Sequence, residues 1–187
     1  MEKLTLKEFL KFNKEDLKGK IICFPTDTVY GVGTLFGDQM GINKIYAMKK
    51  RDYGKPLVNL CSSIKQIADL NITIDIKARA LMEKYWPGAL TIVLCHQNET
   101  ISFRMPDSII SLSLLEHFSL IATTSVNESG EPELNTLEEI EKRFKDHIDF
   151  FITDFATFSK VPSTVVKVCE NEISVLRQGQ IDVFQNK

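Results

Sequence analysis

Ile21-Ile22-Cys23-Phe24-Pro25-Thr26-Asp27-Thr28-Val29-Tyr30-Gly31-Val32-Gly33 is the stretch on which the reading of this chain turns. Its apolar run from Ile21 to Phe24 predicts a strand, and Pro25, which cannot donate to a sheet ladder, predicts that the strand runs into a hydroxyl-rich turn. Thr26 and Thr28 bring hydroxyl donors and acceptors, while Gly31 and Gly33 let the backbone come close to a bound molecule. Further on, Lys49 and Arg51 supply the positive charge that a polyanion requires. Together these features predict a nucleotide site. Gly31-Val32-Gly33 is not a dinucleotide fingerprint, because Phe36 stands where the third glycine belongs, and no G-x-x-x-x-G-K-[ST] occurs. Any nucleotide must therefore be gripped by scattered side chains.

Outward from this stretch, helix and strand signals alternate. Thr5-Leu6-Lys7-Glu8 has the form of a capping box, and Leu6, Phe9, Leu10 and Leu17 predict a helix that Gly19 stops. Asp38 can cap a second helix with Ile42, Ile45, Tyr46 and Met48 on its apolar face. Lys49 and Arg51 then fall at its C-terminal end, where the helix dipole favours cations in any case. Leu57 to Cys61 predicts a strand, followed by helices around Ile64 to Leu70 and Ile76 to Tyr85, the second ended by Pro87 and Gly88. Leu90 to Cys95 and Ile101 to Met105 predict a hairpin across Gln97-Asn98-Glu99-Thr100. Leu120 to Thr124 predicts a strand that ends in Ser125-Val126-Asn127-Glu128-Ser129-Gly130, so two strands run into small polar turns that can share a pocket. Leu137 to Phe144 reads as a charged surface helix, Phe150 to Thr153 as a short strand, and Thr164 to Cys169 with Ile173 to Arg177 as a hairpin around Asn171. With no internal repeat and no dividing linker, the 187 residues predict one α/β domain spanning 1–187 with a sheet of mixed direction.

A formal net charge of −2 gives no global field for nucleic acid, so a cationic site must be local. His96, His117 and His147 share no zinc-ligand spacing, and no Ser-His-Asp or Cys-His arrangement points to covalent catalysis. Cys23, Cys61, Cys95 and Cys169 lie far apart without a C-x-x-C, which predicts buried, reduced thiols. Met1-Glu2-Lys3-Leu4 begins no long apolar stretch, so neither a secretory signal nor a membrane span is expected and a cytoplasmic protein is.

The motifs Pro25-Thr26-Asp27-Thr28-Val29-Tyr30-Gly31, Lys49-x-Arg51, Trp86-Pro87-Gly88, Arg104-Met105-Pro106, Ser125-x-Asn127-x-Ser129-Gly130 and Ser163-Thr164-Val165-Val166 occur in this order between about Ile21 and Gly179. In this the chain resembles the threonylcarbamoyl-AMP synthases. The resemblance implies a twisted, open, mixed parallel and antiparallel sheet with flanking helices and a large concave cavity. It also implies an enzyme, a nucleotidyltransferase that joins L-threonine, bicarbonate or CO2, and ATP into L-threonylcarbamoyladenylate and pyrophosphate for the t6A modification of tRNA. Lys49 and Arg51 are then expected as catalytic phosphate contacts, and Arg104, Ser125, Asn127 and Arg177 as further ATP contacts. Thr26, Thr28, Ser125, Ser163 and Thr164 are expected around threonine. Mg2+ is expected to accompany ATP, although the single carboxylate of Asp27 specifies no metal site. A transient encounter with the downstream transferase machinery, and weak tRNA contact, are the expected partners.

Several residues depart from the family pattern. Asp52 follows the Lys-x-Arg pair where proline is usual, Leu60 stands near the position of a histidine in longer members, and Asp107-Ser108 replaces His-Pro after Pro106. Glu131 stands where a basic residue is common, and no counterpart of the longer form's C-terminal domain follows Arg177, so closure over the nucleotide is expected to be managed differently. Two other readings remain open. A double-stranded RNA-binding module is disfavoured by the acidic balance and the lack of aromatic-and-basic interleaving. A carbamoyl-adenylate domain of hydrogenase maturation would sit in a larger chain with zinc-finger-like cysteines.

Overall fold

The computed structural model describes residues 1–97 and 99–185. Asn98, part of the expected hairpin connection, lies outside the described residues. In chain order the strands are β1 (Glu2–Leu4), β2 (Ile22–Pro25), β3 (Tyr30–Leu35), β4 (Val58–Leu60), β5 (Leu90–His96), β6 (Glu99–Arg104), β7 (Ile121–Ser125), β8 (Phe150–Ile152), β9 (Thr164–Cys169) and β10 (Glu172–Arg177). The helices are α1 (Leu6–Phe9), α2 (Gln39–Lys49), α3 (Ile64–Ala68), α4 (Ile76–Tyr85), α5 (Ile109–Phe118) and α6 (Leu137–Phe144). All the described strands join one sheet in the order β1-β8-β2-β3-β7-β4-β6-β5-β9-β10. The pairs β1/β8, β2/β8, β4/β6 and β5/β9 are parallel, and β2/β3, β3/β7, β4/β7, β5/β6 and β9/β10 antiparallel. The expected mixed open sheet is the observed one.

Local chemistry sets most element ends. Thr5 and Glu8 form the reciprocal capping box, but the helix ends after one turn and a separate 3-10 turn follows at Glu15–Leu17, so the single helix expected up to Gly19 is not formed. Leu17 is nevertheless fully buried, because its packing with Phe9 and Ile22 does not require an unbroken helix. Asp38 caps α2 by accepting from the Gly41 N–H, and Lys50 closes it in the left-handed conformation. Tyr30 to Gly33, which reads as a turn, instead forms β3 and pairs residue by residue with β2 and β7. Gly33 serves that pairing and not a ligand: a Cβ there would lie 2.7 Å from Ile121 Cγ2 and 2.9 Å from the Ala122 carbonyl.

One sheet face buries an apolar layer against the helices through residues such as Leu90, Ile92, Leu94, Phe103, Val166 and Val168. Strand side chains alternate between faces, so their neighbours Thr91, Val93, Ser102, Arg104 and Val165 point to the opposite, concave face. The expectation of four reduced thiols is corrected at two positions. Cys95 and Cys169 are joined by a disulfide with Cα atoms 5.4 Å apart, because the parallel register Leu94↔Val168 sets them side by side at the ends of β5 and β9. Cys23 and Cys61 are free and buried as expected. Among the described residues no helix is long and apolar enough to cross a membrane.

Candidate active site

The concave face encloses a cavity of about 430 Å3, within the range of small-molecule sites. Thr26, Thr28, Arg51, Arg104, Ser125, Ser163 and Arg177 line it together with Tyr30, Lys55, Leu60, Thr91, Ser102, Thr123 and Glu133. Residues from widely separated parts of the chain thus meet at one basin. Lys49, Asn127 and Thr164 stand outside its wall.

Arg104 is 6% exposed and is held on three sides. Its Nε donates to the Gly88 carbonyl at 3.0 Å, one terminal nitrogen donates to Thr28 Oγ1 at 2.8 Å, and the other is paired with the Asp27 carboxylate. Asp27 is therefore committed to a guanidinium, and among the described residues no group of three His, Cys, Asp or Glu side chains could hold a metal ion. Arg177 reaches the basin from the end of β10, donating from Nε to the Ser163 carbonyl at 3.0 Å and from a terminal nitrogen to Ser163 Oγ at 3.2 Å. Enclosure holds its guanidinium below its ordinary range, with Arg104 adding to that effect and Glu133 opposing it. Arg51 is steered by the Lys55 and Pro56 carbonyls, at 2.8 and 3.1 Å. Neither Arg51 nor Arg177 has a carboxylate partner among the described ion pairs, so both charges remain available to an anion.

The hydroxyls can be assigned by following their protons. Thr26 Oγ1 donates to the Val29 carbonyl at 2.7 Å and accepts from the Thr28 and Val29 N–H groups. Its only proton being spent, Thr28 must be the donor in the 3.1 Å contact between the two threonine hydroxyls, and Thr28 also accepts from Arg104. Both side chains build the turn and aim Arg104, which is the more modest of the roles their residue types allow. Ser163 Oγ lies 2.8 Å from Thr91 Oγ1 on the wall.

Three of the residues expected as contacts lie outside the basin wall. Thr164 is fully buried on the other face of β9, where its hydroxyl donates to the Ile181 carbonyl and accepts from the Gly179 and Ile181 N–H groups. Strand alternation puts Ser163 and Val165 in the basin and so turns Thr164 away. Asn127 is 7% exposed behind Ser125, its amide donating to the Glu131 carbonyl at 2.6 Å and accepting from Ser125 Oγ at 2.8 Å. Lys49 is 1% exposed, and its Nζ donates to the Ser125 carbonyl at 2.5 Å, the Asn127 carbonyl at 2.8 Å and Asn127 Oδ1 at 2.7 Å. Burial pulls this ammonium down to about 7, Arg51 adds to the effect and Glu133 opposes it.

The sequence reading missed Glu133, the one carboxylate on the cavity wall among the described residues, and the wall residues Thr91, Ser102 and Thr123. Thr91 and Ser102 had a signal, each being a polar residue between two apolar neighbours in a buried strand and two positions from a cavity-facing residue, whereas Thr123 is followed by Thr124 and lacks that pattern. Leu60 also lines the basin, so the position noted for a missing histidine presents an apolar surface.

Residues 17–179 match the Sua5/YciO/YrdC family model, described as telomere recombination. The threonylcarbamoyl-AMP synthase of Bacillus subtilis is 33% identical over 88% of this chain and 51% of its own length, so the chain spans about half of that relative. A relative from Methanocaldococcus jannaschii is 31% identical over 97% of this chain and 89% of its own. Among solved structures, Pyrococcus abyssi Sua5 complexed with L-threonine superposes with a TM-score of 0.81 at 29% identity, covering 95% of this chain and 56% of that one. Escherichia coli YciO shares the fold, with a TM-score of 0.82 at 23% identity over 96% of this chain and 91% of its own. The mixed sheet agrees with these structural matches, and the chain belongs to the Sua5/YciO/YrdC family.

Proposed function

We propose that this protein is an enzyme of the nucleotidyltransferase class that forms L-threonylcarbamoyladenylate and pyrophosphate from L-threonine, CO2 or bicarbonate, and ATP. The observation that carries the reading is the convergence of Arg51, Arg104 and Arg177 with hydroxyl-bearing strands on one basin. Relatives named threonylcarbamoyl-AMP synthase, and a neighbour complexed with L-threonine, support it. Threonine's deprotonated amine captures CO2 to give a carbamate, whose oxygen attacks the α-phosphorus of ATP as pyrophosphate leaves. That chemistry asks the protein for alignment, exclusion of water and positive charge, and no side-chain nucleophile is required. Arg51 and Arg177 bring unpaired charge for the phosphates, and Mg2+ enters with the nucleotide. Leu60 and Val58 give threonine's methyl an apolar wall, worth about 1–3 kcal/mol against serine.

The test is pyrophosphate release with ATP, bicarbonate and threonine, each omitted in turn. Release that requires all three supports the reading, and release indifferent to threonine removes it. Arg51→Ala should lower the threonine-dependent rate by about 10²-fold, as loss of a charge-stabilising donor does elsewhere. An unchanged rate would take Arg51 out of the phosphate site.

A further inference from the structure

The hydrogen bonds of Lys49 fix which way a proton points at the wall of the basin. The Glu131 carbonyl only accepts, so the Asn127 amide group that meets it at 2.6 Å must be its nitrogen, which leaves the amide oxygen facing Lys49 Nζ at 2.7 Å whether the lysine is charged or neutral. With Asn127 Oδ1 so placed, the 2.8 Å contact from Ser125 Oγ has one possible sense, with the serine donating. Ser125 Oγ, a wall residue of the basin, is left with lone pairs and no free proton. The main chain is tied at the same place, since the Lys49 carbonyl accepts from the Ser129 N–H at 2.9 Å and Lys49 Nζ takes the carbonyls of both Ser125 and Asn127. The C-terminal end of α2 thereby clamps the whole turn that follows β7.

We propose that Lys49 is a positioning residue that never touches substrate, and that by orienting Asn127 it sets Ser125 Oγ as a hydrogen-bond acceptor facing an N–H or O–H of the bound ligand. This rests on the proposed synthase activity only for its kinetic readout. Ser125 thus recognises an amine or hydroxyl of a reactant and not a phosphate oxygen, which could only accept. Glu133, the wall carboxylate, adds a second acceptor to the cavity and favours the same donor-bearing chemistry, while Arg51 and Arg177 remain for the anionic part.

The first arm of the test needs no catalysis. In the ligand-free protein, reductive methylation followed by mass spectrometry should modify Lys49 at least 10-fold more slowly than Lys55, the exposed lysine of the same cavity. Equal rates would overturn the clamp. The second arm compares Lys49→Met and Ser125→Ala, singly and combined, in threonine-dependent pyrophosphate release. Both single variants should raise KM for the same substrate, and the double variant should be no more than about 3-fold worse than the weaker single one, since both break one chain of contacts. Effects that multiply, or a Lys49→Met effect on the KM of a different substrate, would overturn the proposal. Should Lys49→Met not fold, methylation of the wild-type protein with saturating pyrophosphate decides instead. Lys49 should stay as slow as in its absence, whereas protection gained only with pyrophosphate marks a direct phosphate contact. Absence of pyrophosphate release in the wild type would remove the synthase reading and leave the methylation result to judge the clamp.

Discussion

At the scale of single residues, the basin separates charges that are committed from charges that are free. Arg104 is neutralised by Asp27 and anchored to Gly88 and Thr28, so it serves as a fixed post in the wall, whereas Arg51 and Arg177 hold only carbonyl or hydroxyl partners. Lys49 shows what burial costs. Its ammonium is pulled down to about 7 in the folded protein, against an ordinary value of 10.5 in an unfolded chain. Between those two values the unfolded chain binds more protons, so this residue's contribution to stability is smallest below about pH 7 and grows as pH rises toward 10.5. Urea midpoints of the wild type and Lys49→Met, measured from pH 6 to 9.5, should therefore diverge in the wild type's favour with rising pH. A pH-independent difference would mean that the ammonium is not depressed.

At the scale of elements, legibility followed how local each cause is. The capping box at Thr5 and Glu8, the Asp38 cap and the hairpin of β9 and β10 depend on residues close in sequence, and all were readable. β1 was not, because Glu2–Leu4 is short and mostly polar and becomes a strand only by lying parallel to β8. β3 was hidden by its glycines, which are there for the close approach of β7. α5 was missed because Ile109–Phe118 is apolar around most of its circumference and shows little periodicity, although Ser108 caps it. The Cys95–Cys169 bond needed the β5/β9 register, which a separation of 74 residues cannot announce. Likewise the strands bearing Ser163 and Thr164 were legible, while which of the two faces the basin depended on register. That bond closes a long loop, so Cys95→Ser or reduction should cost about 2–4 kcal/mol in urea unfolding. Because Ser163 immediately precedes β9 and Arg177 ends β10, looser strands should also weaken nucleotide binding. An unchanged midpoint under reductant would show that strand pairing alone holds this edge.

At the scale of the whole molecule, the strand order makes the basin a product of global folding. Its wall draws on β3, β4, β5, β6, β7 and β9, with contributions from the loops after β2, α2, β7 and β8 and from the end of β10, so no contiguous part of the sequence contains it. A ligand that bridges Arg51 and Arg177 ties distant parts of the sheet together and stabilises all of it. At 100 times its dissociation constant such a ligand should add about 2.7 kcal/mol, visible as a rise in melting temperature. ATP should give that rise, and adenosine, without phosphates, a much smaller one. Equal shifts would place binding on the base and ribose instead of the cationic wall.

The two unbonded sulfurs carry a practical corollary. Cys23 and Cys61 lie in the interior and burial raises both thiols, Cys61 to about 12, while neither sulfur borders the basin. The native enzyme should thus survive iodoacetamide with its turnover intact and surrender those two thiols only once denatured, so alkylation can count unfolded molecules without poisoning the folded ones.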